Sequence, residues 1–129
     1  MDEHNNQIQE EQFIDQLAQK LKQDAWQVDQ ERNDGLNDLV VYDPGSRKRI
    51  CIEFKEAGQY GELPISSIIP FTKQKNRIRE DMDKIFLVSF SAIPDILFRK
   101  LDRLGIKAFT RPSVDDVAQQ VQYAMSPNL

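Results

Sequence analysis

Asn37-Asp38-Leu39-Val40-Val41-Tyr42, then Asp43-Pro44-Gly45-Ser46, then Arg49-Ile50-Cys51-Ile52-Glu53-Phe54-Lys55, is the stretch that decides how this chain folds. Two apolar runs flank a Pro-Gly turn signal, which reads as a β-hairpin. Side chains alternate along a strand, so Leu39 and Val41 share a face with Ile50, Ile52 and Phe54, and that face is core. The other face collects Asp38, Val40, Tyr42, Cys51, Glu53 and Lys55. Two carboxylates and an ammonium gathered there mark a candidate site. Two registers are open. If Tyr42 pairs with Arg47, Asp38 lies opposite Cys51 and diagonal to Glu53; if Asp43 pairs with Lys48, Asp38 and Glu53 are directly opposite. Either register leaves the carboxylates roughly 5 to 8 Å apart at Cβ, a span that one metal ion can bridge. A one-residue slip of a strand would separate them.

Outward from the hairpin, the chain reads as alternating helices and strands. Residues 1–6 are polar and without periodicity, and are expected to be frayed. From Ile8, apolar residues at Phe13, Ile14, Leu17, Ala18, Leu21 and Ala25 fall on one face of a first helix. Glu10 and Glu11 sit near its start, where negative charge complements the helix dipole. Trp26 and Val28 alternate with Gln27 and Asp29 as a first strand, and Asn33-Asp34-Gly35 turns the chain into the hairpin. Residues 57–62 form a loop with two glycines, and Ile65–Ile69 is an apolar run without a clear period. Pro70 suits a first helical position, followed by an apolar stripe at Phe71, Ile78 and Met82 that also carries Gln74. Lys84–Phe90 is nearly continuously apolar, the pattern of a strand covered on both sides. Ser91 is a candidate cap for the next helix, Pro94 suits its first turn, Ile96, Leu97, Leu101 and Leu104 make its apolar face, and Gly105 ends it. Ile106–Thr110 returns as a strand, completing a βαβ unit with a right-handed crossover. Ser113-Val114-Asp115-Asp116 resembles a capping box before a final helix through Val117, Val121 and Met125. The element order is α-β-β-β-α-β-α-β-α, an α/β fold with one mixed central sheet flanked by helices.

At 129 residues and 40% hydrophobic, residues 1–129 are read as a single domain. No apolar run reaches membrane-spanning length and no leader pattern precedes the first helix, so a soluble, cytoplasmic protein is expected. The single cysteine, Cys51, excludes an intramolecular disulfide and a cysteine-rich zinc site, and reads as a small core residue. Net charge is −4 with a pI near 5.0, which argues against a protein that coats nucleic acid without specificity. Its distribution is uneven. The first 15 residues hold five acids and no Lys or Arg, whereas Arg47-Lys48-Arg49, Lys73-Lys75-Arg77-Arg79 and Arg99-Lys100-Arg103 are local basic groups. Each reads either as a solvated face or as part of a polyanion-facing side.

The element order from about residue 8 to 110, with Asp38 on the second strand and Glu53-Phe54-Lys55 on the third, resembles the restriction-endonuclease-like nuclease superfamily, whose motif is written PD-(D/E)XK. Asn37 stands where the motif's name has proline. The resemblance implies a divalent-metal-dependent phosphodiester hydrolase, an endonuclease acting on DNA rather than RNA. Asp38 and Glu53, with the main-chain carbonyl of Phe54, would hold Mg²⁺, with Mn²⁺ as a substitute. Hard oxygen donors suit that cation. Lys55 would orient or deprotonate the attacking water, or stabilise the charge that develops. Some branches, including archaeal Holliday junction resolvases, add a glutamate of the first helix to the metal shell; Glu11, with Glu10 beside it, occupies that region. Gln74 or Lys75 occupies the region of a further polar catalytic residue. Lys73, Lys75 and Arg77 are then the candidate nucleic-acid contacts, and a homodimer is expected because two-fold symmetry matches that of a duplex.

A second reading is a nuclease-like scaffold that does not cut and serves as a binding or assembly subunit in DNA rearrangement, restriction or toxin neutralisation. Its motivation is the acidic charge and small size. A third is a salt-bridged sheet in which Lys55 only neutralises Asp38 or Glu53, since exposed pairs of that kind are common and weak.

Overall fold

The computed structural model describes residues 3–33, 36–55 and 84–126, and for residues 3–8, 31–33, 36 and 37 the backbone alone. Within them the chain is α/β: helices α1 (Glu3–Gln23), α2 (Asp95–Arg103) and α3 (Val114–Met125), and strands β1 (Gln27–Asn33), β2 (Leu36–Tyr42), β3 (Arg49–Lys55), β4 (Lys84–Ser89) and β5 (Ile106–Thr110). The strands form one mixed sheet in the order β1-β2-β3-β4-β5. The first two pairings are antiparallel, and β3–β4 and β4–β5 are parallel. The expected loop at 57–62, the apolar run at 65–69 and the helix from Pro70 through Met82 lie outside the described residues.

Of the two hairpin registers, the molecule adopts the one closed at Asp43 and Lys48. Tyr42 pairs with Arg49 and Leu39 with Ile52, and the Asp43 N–H donates to the Lys48 carbonyl at 2.9 Å. The turn is held by its own side chains. One Asp43 carboxylate oxygen accepts from the Gly45 N–H at 3.1 Å and the other from the Ser46 hydroxyl at 2.6 Å. The Ser46 hydroxyl and then the Gly45 N–H hold the Asp43 carboxyl below its ordinary value of 3.8. Arg47 completes the turn at φ 64°, in the left-handed region.

The core divides across the sheet. On one face Leu39, Val41, Ile50, Ile52, Phe54, Phe86 and Val88 pack against Ile14, Leu17 and Leu21 of α1 and Val117, Val121 and Met125 of α3. On the other, α2 lays Leu97 and Leu101 over Ile85, Leu87 and Ile106. A ring cluster fastens the middle of α1 to one end of the sheet: Phe13 meets Phe90 edge-on at 5.6 Å and Phe54 at 6.4 Å.

Three helix boundaries differ from the pattern in the sequence. Helix α1 begins at Glu3, ahead of the apolar stripe, so part of the polar lead expected to be frayed is helical. It ends at Gln23, and Ala25, expected on its apolar face, is exposed at φ 73°. There Ala25 N–H donates to the Lys22 carbonyl at 3.0 Å and Trp26 N–H to the Leu21 carbonyl at 3.1 Å, the paired bonds of a left-handed helix exit. Ser91 does not cap α2, whose N-cap is Pro94. Instead the Ser91 N–H donates to the Ser89 hydroxyl at 3.1 Å, and that hydroxyl donates to the Ser91 carbonyl at 2.7 Å. Ile96 is 63% exposed, because a nine-residue helix turns only Leu97 and Leu101 fully inward. Ser113 does cap α3, its hydroxyl accepting from the Asp116 N–H at 3.0 Å, and Gly105 at φ 78° ends α2.

Candidate active site on the α2 face of the hairpin

Cross-strand pairing arranges the α2 face of the sheet in rows. Val40, Cys51 and Ile85 share one row. Continuing the β2–β3 register by one residue sets Asp38 opposite Glu53, and Glu53 pairs in turn with Leu87. Lys55 pairs with Ser89 in the row beyond. Helix α2 covers Ile85 and Leu87 at the β4 side of these rows. Across these rows Asp38, Cys51, Glu53 and Lys55 are half-buried and Val40 is fully buried. The expectation that Cys51 is a core residue is thus met only in part. The β1–β2 register also places Glu31 at the position beside Asp38, a neighbour the sequence reading did not single out.

Electrostatics follow from that placement. Glu53 stands between apolar Leu87 and the Asp38 carboxylate. Burial first, and Asp38 second, push the Glu53 carboxyl up to about 7, while the Lys55 ammonium pulls it back. Two carboxylates that resist ionising together are a donor set that an added cation would relieve. They therefore fit a hard divalent ion, with Phe54 supplying backbone between Glu53 and Lys55 and anchoring that backbone by its buried ring. Among the described residues, no group of three or more His, Cys, Asp or Glu side chains is gathered to hold a metal.

The other site residues expected from sequence fall elsewhere. Glu11 is exposed on α1, and its neighbour Glu10 is the one turned inward, at 6% exposure, in line with Ile14, Leu17 and Leu21. The spacing back from Ile14 by four residues is the signal that singles out Glu10. Because α1 packs on the far face of the sheet, Asp38 rather than a first-helix glutamate is the carboxylate that adds its charge to Glu53. Gln74, Lys73, Lys75 and Arg77 lie outside the described residues.

Two residues not foreseen shape the end of the site. Ser89, fully buried, locks the chain reversal after β4 beside Lys55. The Lys55 carbonyl accepts from the Phe90 N–H at 3.2 Å. Arg111, at φ 45°, donates its N–H to the Ser89 carbonyl at 2.8 Å and its Nε–H to the Phe90 carbonyl at 3.2 Å. An arginine just past a strand carries no sequence signal for such a brace.

Among the described residues no helix is long and apolar enough to cross a membrane. No family model, no curated protein and no solved structure gives a significant match to this chain.

Proposed function

We propose that the protein is a divalent-metal-dependent nuclease of the restriction-endonuclease-like kind, acting on DNA. The observation that carries this reading is the row geometry: Asp38 and Glu53 at facing strand positions, with Lys55 one row on and on the same half-buried face. Asp38, Glu53 and the Phe54 carbonyl would hold Mg²⁺ or Mn²⁺. Bound there, the ion would supply positive charge against the scissile phosphate and lower the pKa of a bound water. The chain's own residues do the rest. Asp38 and Glu53 are carried on paired strands whose apolar faces are fully packed, so the two carboxylates are held without rearrangement. The Lys55 ammonium, two residues along the strand from Glu53, donates to a phosphate oxygen or orients the attacking water. Helix α2 and Leu87 keep one side of the site dry, which strengthens each of these interactions.

Calorimetry with Mn²⁺ and cleavage of a mixed panel of plasmid, linear duplex, single strand and branched junction test the reading together. Wild type binds Mn²⁺ and cuts; Asp38→Asn loses both. Lys55→Ala keeps Mn²⁺ binding and loses cleavage. Mn²⁺ binding unchanged in Asp38→Asn and Glu53→Gln sinks the metal site. A protein that neither binds Mn²⁺ nor cuts shifts the reading to the non-cutting binding or assembly subunit.

A further inference from the structure

At the opposite end of the sheet, and on its α3 face, two adjoining open cavities of about 410 and 260 Å³ meet around Tyr123. Both are lined by Lys84, Tyr123 and Ala124; Lys107 and Gln120 border the larger, and Lys48 and Arg49 the smaller. Among the described residues no carboxylate lines either one. The floor is apolar, formed by Phe86 and Ile50 where β4 and β3 begin. Tyr123 is 64% exposed, a large ring on a helix face that packing does not explain. Its hydroxyl accepts from the Gln119 Nε2–H at 3.3 Å, one turn back on α3, which steadies the ring. Lys48 reaches back to the Ser126 carbonyl at 3.4 Å, so the end of α3 and the hairpin turn form one wall. Lys107 lies over the Phe109 ring, 5.8 Å from its centroid, which holds the ammonium at the groove's rim.

The geometry points to a binding groove for single-stranded nucleic acid, with a base stacked on Tyr123 and successive phosphates met by Lys107, Lys84 and the Lys48–Arg49 pair. Cations along both cavities with one exposed ring between them are the combination that sequence-tolerant single-strand binding uses. A lone small anion would need an enclosed pocket with converging donors, whereas this trough is open and continues from one cavity to the next. The groove lies about 20 Å along the strands from Lys55, so it does not depend on the carboxylate site.

Fluorescence anisotropy of a labelled oligothymidylate, in buffer with EDTA so that no divalent ion contributes, reads the groove directly. Wild type binds, with an affinity that falls as salt rises. Tyr123→Ala weakens binding about ten-fold, and Tyr123→Phe restores it, since the stacking face is what matters. The double variant Lys84→Gln/Lys107→Gln weakens binding and flattens the log–log salt slope by about 0.7 per lysine removed. All three positions line an open groove, and matching thermal melts show that the variants are folded. Absence of binding by wild type, or variants that bind as wild type does, overturns the proposal. So does thymidine monophosphate competing as well as the chain at equal nucleotide concentration, which would make the groove a mononucleotide site. Displacement by polyglutamate with Tyr123→Ala silent would overturn it in favour of an acidic protein. Because the assay excludes metal and cleavage, loss of the nuclease reading leaves its outcome intact.

Discussion

On one face of the β2–β3 hairpin, Leu39, Val41, Ile50 and Ile52 are each at most 1% exposed; on the other, Asp38, Cys51, Glu53 and Lys55 are half-buried. The same two strands build both faces. What separates them among the described residues is the packing: α1 and α3 lie against the first face, and α2 packs on Ile85, Leu87 and Ile106 of the second. The difference teaches why the charged face is chemically loaded. Its groups are too enclosed to be fully hydrated and too open to be forced neutral, which is the condition under which a carboxylate changes its proton affinity.

The largest effect comes from breaking the packed face. Ile52→Ala removes a fully buried side chain directly opposite Leu39 and is expected to cost about 2–5 kcal/mol in urea unfolding. If the two faces are as distinct as their cover implies, protein that remains folded keeps its Mn²⁺ affinity. A loss of only a few tenths of a kcal/mol would show that the packed face is not the one that holds the hairpin.

Glu53 gives the next effect, and its sign is fixed by its environment. A carboxyl raised from 4.5 to about 7 in the folded protein holds its proton more tightly folded than unfolded. The contribution of Glu53 to stability without metal is therefore greatest below about pH 4.5, falls as pH rises through the interval to about 7, and is flat above it. The loss is on the order of 3 kcal/mol, and Glu53→Gln should abolish that part of the pH dependence. Urea unfolding at several pH values in EDTA measures both. A wild-type curve that does not fall relative to that of Glu53→Gln across this interval would contradict the placement of Glu53. Adding Mn²⁺ at alkaline pH should recover stability in wild type and not in Glu53→Gln.

Asp38→Asn sharpens the same contrast with a smaller change. Removing the facing carboxylate lowers the Glu53 pKa part of the way, because burial, the larger cause, remains. Carboxyl-resolved NMR titration of the variant distinguishes this from a shift caused by burial alone, in which Glu53 would titrate as in wild type.

Much of this contrast was legible in the residues. Alternation from Ile50 to Phe54 separates the faces, and the apolar run from Ile85 to Val88 marks a strand covered twice. Gly105 and Ser113 announce their boundaries because a left-handed exit favours glycine and an N-cap favours a hydroxyl. Legibility failed where a tertiary partner outbid the local rule. Trp26 packs against the core and draws Ala25 into a left-handed exit with no glycine to signal it. Ser91 bonds through its backbone with Ser89, three residues ahead of the N-cap at Pro94. Glu10 and Glu11 are adjacent and equally acidic, and only the phase of the stripe through Ile14 decides which is turned inward. The charge on the second face was readable as a cluster, but the burial that perturbs Glu53 depends on tertiary packing that no local pattern encodes.

The smallest effect concerns the turn that decides which face is which. Arg47 occupies a left-handed position, φ 64°, that disfavours any side chain. Arg47→Gly relieves that strain but gives the unfolded chain more freedom, so the net gain is a few tenths of a kcal/mol. Arg47→Val, β-branched at the same φ, should lose about 1 kcal/mol or more. The register is what this pair of variants probes. The Asp43 N–H to Lys48 carbonyl bond closes the turn with four residues between its partners, and a slip of one would carry either the upper or the lower strand's side chains to the opposite face. Such a slip would set Asp38 and Glu53 on different sides of the sheet while burying a charge in the core. Mn²⁺ binding that survives Arg47→Val with only the stability lowered would show that the apolar face, and not the turn, fixes the register. Loss of both together would assign that role to the turn.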